Sequence, residues 1–267
     1  MTKNQAIVAA LAAGLASTAS ADVIASTLGQ VGSDLNLQSF TNTEDGLYTS
    51  AADLFGIVEV GFDSMPFALA DDSVTAIGGS VFEGDSQGIL DGRFIGMEVF
   101  GAVDTVNGDN ADGVGTAVWT FNFDSPATLD SVSIDLAAMG DFEDGSDGYE
   151  VLYSINGLAD VSWITTTVDE TLDDQPYTME GGATPLIDDP ILANGVQLND
   201  EFQTFTLDLG GVSANLFSVT ITGGGDGGAE AFAAMAIVVE GSTDGTGPVC
   251  PPDQNTDGNL DIDDFSA

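Results

Sequence analysis

The chain has 267 residues, 44 of them acidic against two basic, with no histidine and a formal charge of −42. That balance argues against nucleic acid and anionic membrane surfaces as partners, because both are held by Lys and Arg. The missing histidine removes the usual general base, the Ser–His and Cys–His dyads and the commonest zinc ligand, leaving carboxylates and hydroxyls for acid–base work.

The chain opens with Lys3, an apolar run over residues 6–16 and Ala19-Ser20-Ala21 before Asp22. A basic tip, a short apolar core and an A-x-A site predict a secretory signal peptide over residues 1–21 and a secreted protein. The run is too short to span a bilayer. Its removal takes Lys3 away and leaves Arg93 as the one cation. A structural ion pair is the expected role of Arg93 among so many carboxylates.

Residues 22–241 read as one domain with a period of two. Ala117, Trp119, Phe121 and Phe123 share one face, and Val118, Thr120 and Asn122 the other. Val132, Ile134, Leu136 and Ala138 alternate with polar residues, as do Tyr149, Val151, Tyr153 and Ile155, and Phe217, Val219 and Ile221. The last strand, residues 232–239, is apolar throughout and is expected to be central and covered on both faces. Turn signals separate these runs: Asp112-Gly113, Asp147-Gly148, Asn156-Gly157, Gly223-Gly224-Gly225 and Asp226-Gly227. No amphipathic helix and no fixed repeat appear. Ten or so short strands with Gly/Asp turns predict an all-β, two-sheet β-sandwich of the jelly-roll kind.

A Gly/Ser/Thr/Pro linker covers residues 242–252 and carries the single cysteine, Cys250. One cysteine allows no internal disulfide, so its expected partner lies in a further C-terminal part of the protein.

Residues 253–264 place oxygen side chains at positions one, three, five, nine and twelve of a twelve-residue loop, with Gly258 at six for the sharp turn. That is the ligand order of a calcium loop, in which hard oxygens wrap the ion. The expected ligands are Asp253, Asn255, Asp257, the backbone carbonyl of Asn259, Asp261 and Asp264. With Asp264 rather than Glu at position twelve, the loop resembles a dockerin type I half-repeat, itself EF-hand-like. The resemblance implies Ca²⁺ as the bound ion. A dockerin has two such loops, each followed by a helix; one loop ending in Phe265-Ser266-Ala267 does not carry the expectation of a cohesin partner.

Three acidic clusters lie in the sandwich: Asp141 to Asp147, Asp226 to Glu230, and Asp109 with Asn110 and Asp112. Each is read as either a solvated turn or a structural metal site. Trp119 is assigned to the core, Trp163 is left open, and Tyr177 is the exposed aromatic best placed to meet a sugar. The stretches around Met139-Gly140-Asp141, Pro185-Leu186-Ile187 and Asp226-Gly227-Gly228 resemble a β-sandwich type found in secreted bacterial proteins, sometimes beside hydrolase domains. That resemblance implies an accessory or surface role.

Three functions follow. The first is a secreted, non-catalytic, calcium-binding sandwich associated with a polysaccharide or a cell-surface component. The second is a polysaccharide-degrading enzyme, either a glycoside hydrolase, for which a carboxylate pair suffices, or a lyase, which the missing His and Lys and the scarce Arg disfavour. The third is a purely structural or adhesive exoprotein.

Overall fold

The computed structural model describes residues 21–44, 52–66, 68–71, 88–106, 108, 110–111, 113–176, 184 and 186–243. The expected signal peptide up to residue 20 lies outside the described residues, as do Tyr177, Cys250, Asp109 and Asp112. So does the calcium loop with Asp253, Asn255, Asp257, Asn259, Asp261 and Asp264.

The protein is all-β. In chain order the strands are β1 (Asp22–Thr27), β2 (Leu37–Asn42), β3 (Leu54–Glu59), β4 (Glu98–Val103), β5 (Gly115–Met139), β6 (Gly148–Ile155), β7 (Val161–Val168), β8 (Gln175–Pro176), β9 (Leu186–Ile187), β10 (Ile191–Ala193), β11 (Val196–Gln197), β12 (Gln203–Gly224) and β13 (Ala231–Thr243). Among the described residues the one helical piece is the three-residue turn Gly92–Phe94, and no helix is long and apolar enough to cross a membrane. β8 and β9 form a small sheet of their own.

Two strands correct the expectation of uniformly short ones: β5 has 25 residues and β12 has 22. The runs around Trp119 and Ile134 are two halves of β5, joined through Asp124, Ser125 and Pro126. β12 pairs antiparallel with β5 from end to end, with register shifts between Asp208 and Val212 and between Ala214 and Leu216. Extra residues at such shifts let a paired ribbon bend while its ladder continues. The ribbon therefore serves two layers. The first half of β5 and the second half of β12 pair with β2 and β6, and β7, β10 and β11 extend that layer. The second half of β5 pairs with β13, which is bonded to β4 near its start and to β1 near its end; β3 pairs with β4.

The layers meet face to face. Trp119 of the first layer is fully buried, its ring 5.3 Å from that of Phe100 in the second. Tyr149 of β6 stacks on Phe232 of β13 at 4.2 Å. Each large side chain so enclosed contributes about 1.5–3 kcal/mol by leaving water.

The expectation of a last strand covered on both faces holds at the start of β13. Phe232 and Ala234 face the core between the layers. Ala231 and Ala233 face a second apolar cluster with Leu69, Leu90, Val99 and Val103. Coverage changes at Met235, where the register against β5 shifts and Ala236 takes a φ of 52°. Beyond it Val238 is half-buried and Glu240 exposed. The strand continues to Thr243, two residues past the expected domain end.

Candidate metal centre

Strand register decides which turns become neighbours. Met139, the last residue of β5, pairs with Ala231, the first of β13. Gly223 and Gly224, ending β12, pair with Tyr149 and Gly148, which open β6. The segment over residues 140–147 joins β5 to β6, and residues 225–230 join β12 to β13. Both segments therefore sit at one end of the sandwich, and each crosses from one layer to the other.

Asp147 ties them together. Its Oδ2 accepts the Glu143 N–H at 2.6 Å, and its Oδ1 accepts the Asp226 N–H at 2.9 Å. Glu230 folds back on its own loop, accepting the Gly227 N–H at 3.1 Å. A third segment braces the pair: the buried Thr105 hydroxyl accepts the Gly225 N–H at 2.8 Å and lies 2.8 Å from the Gly113 carbonyl. Asn110, from the third acidic cluster of the sequence, accepts the Gly113 N–H at 3.2 Å and so helps shape this brace.

Glu143, Asp147, Asp226 and Glu230 each offer a carboxylate oxygen, and the four oxygens lie within 4.8 Å of one another. Glu230 is 5 % exposed and Asp147 9 %, while Glu143 and Asp226 face solvent. The site thus has a buried floor and an open rim. Gly227 leaves the floor room: a Cβ there would lie 2.0 Å from Glu230 Oε1. A Cβ on Gly225 would lie 3.2 Å from Glu230 Oε2, 3.4 Å from the Tyr149 hydroxyl and 3.6 Å from Asp147 Oδ1.

The electrostatics are one-sided. Burial pushes the Glu230 carboxyl up to about 8, and the charges of Asp147, Glu143 and Asp226 add to it against the Gly227 hydrogen bond. A hydrogen bond shared with Asp147 raises Glu143 to about 7, with burial and the neighbouring carboxylates adding to it. No cation is among the groups acting on either. Next to the centre, burial and then Asp53 raise Asp104, which also feels Asp226. Two unit charges 4.8 Å apart repel by about 3.5 kcal/mol at an effective dielectric of about 20. Bound protons or a bound cation would relieve such a group, and the four residues are placed so that they could hold a metal ion.

The sequence offered the Asp141–Asp147 and Asp226–Glu230 stretches as two separate clusters, each either a solvated turn or a structural metal site. The fold makes them one site. The signal for this was the pairing of the flanking strands rather than any motif. Other sequence-level candidates have structural roles. Asp91 accepts from Arg93 through both its backbone N–H and its Nε, each at 2.7 Å, and caps the Gly92–Phe94 turn. Trp119 belongs to the core, and Trp163 packs half-buried against it. No protein-family model and no curated protein sequence matches this chain.

Proposed function

We propose that the protein is a secreted, non-catalytic β-sandwich module that binds calcium, at the loop-end centre and in the C-terminal loop, and is associated with a polysaccharide or a cell surface. The observation that supports calcium at the sandwich is the centre itself: four carboxylates within 4.8 Å, two of them on a buried floor, with no cation to offset them. All four donors are hard oxygens, which suits Ca²⁺ or Mg²⁺ rather than a softer ion. Calcium is favoured because it accepts irregular oxygen shells of six to eight ligands, and the open rim leaves places for water. Secretion rests on the N-terminal pattern of residues 1–21 and the calcium-loop spacing of residues 253–264.

The raised carboxyls of Glu143 and Glu230 also keep the glycoside-hydrolase reading in view, since a neutral acid beside a carboxylate is what that chemistry needs. Against it, Tyr149, whose hydroxyl borders the centre, is buried and stacked on Phe232, so it offers no platform for a sugar ring.

Thermal unfolding of the full chain in EDTA, calcium or magnesium at matched ionic strength tests the proposal. A ligand present at 100 times its Kd stabilises by about 2.7 kcal/mol. In a protein of this size that raises Tm by several degrees, roughly 2–4 °C per kcal/mol. The expected result is a rise with calcium that Glu230→Gln reduces strongly and that Asp253→Asn with Asp257→Asn reduces less. A rise unchanged by Glu230→Gln would confine calcium to the C-terminal loop. Hydrolysis of a polysaccharide, lost in Glu143→Gln, would replace the proposal with the enzyme reading.

A further inference from the structure

We draw no further inference here: the strongest candidate, the carboxylates Asp71, Asp91, Asp200 and Glu201 gathered with Arg93 beside the Gly92–Phe94 turn, is an acidic cluster already engaged by the guanidinium and by backbone amides, and no second observation there points to a ligand.

Discussion

Glu230 is a carboxylate in a place that favours its neutral form. Its carboxyl is raised to about 8 and that of Glu143 to about 7, against an ordinary value of 4.5 for both. The folded protein therefore binds more protons than the unfolded chain between those limits. Stability from these groups is complete below the ordinary carboxylate range and is lost as pH rises through about 7 and about 8. In EDTA, Tm should fall between pH 5 and pH 8. Glu230→Gln, which keeps the shape and removes the charge, should flatten that fall and exceed the wild type at pH 8. Calcium should reverse the order of the two proteins at pH 8, because it needs the charge that Gln lacks. A wild-type Tm in EDTA that rises over this range, or a Gln variant with an unchanged slope, would show that the centre is not the proton-binding group.

At the scale of elements, alternation exposed the faces of the strands but not their continuity. Trp119, Phe121 and Phe123 were legible as one buried face, and Val132, Ile134 and Leu136 as another, because a period of two is carried by the residues themselves. That both faces belong to β5 was not legible, since Asp124, Ser125 and Pro126 look like a turn. The ribbon partner β12 keeps them in one ladder, and that is a long-range fact. That the two acidic stretches form one four-carboxylate cluster was hidden for the same reason: Asp147 and Asp226 are 79 residues apart and meet only through register. The Ala236 bulge was equally hidden, because alanine carries no turn signal. An alanine at a φ of 52° is held against its preference. Its N–H donates to Leu28, itself at a φ of 56°, where β13 leaves β4 for β1. Ala236→Gly should therefore be close to neutral, within about 0.5 kcal/mol, as strain relief offsets the added freedom of the unfolded chain. Ala234→Gly, in regular and fully buried strand, should cost about 1 kcal/mol or more. Denaturant midpoints at constant m-value would compare them. An equal loss at both sites would mean that the bulge carries no strain.

Across the whole molecule the governing quantity is charge. A formal charge of −42 over the chain opposes compaction of the sandwich, which carries most of it. Screening shortens the reach of that repulsion from about 10 Å at 0.1 M salt to about 3 Å at 1 M. Without divalent ions, Tm should climb steadily with sodium chloride, for the centre variant as for the wild type. A flat response would mean that the acidic surface is spaced widely enough to cost little. The −42 charge thus has a general remedy in salt and, on the proposed reading, a local one in a bound cation, and the two are separable by experiment.

The pairing of β1 with β13 sets how the domain meets a pulling force. Asp22 lies opposite Gly241, so the first and last strands run antiparallel with their outer ends side by side. Tension applied through residues 22 and 243 loads the hydrogen bonds of that pair one after another, like a zipper, instead of sharing the load among all of them in shear. The Glu143–Glu230 centre lies at the opposite end of β13 and takes no part in the first rupture. In a single-molecule stretching experiment with handles at these two positions, β1 should peel away at low force, and calcium should leave that force unchanged while raising thermal stability. A module built this way is suited to holding a site at its free end, and ill suited to serving as a link in a tensioned chain.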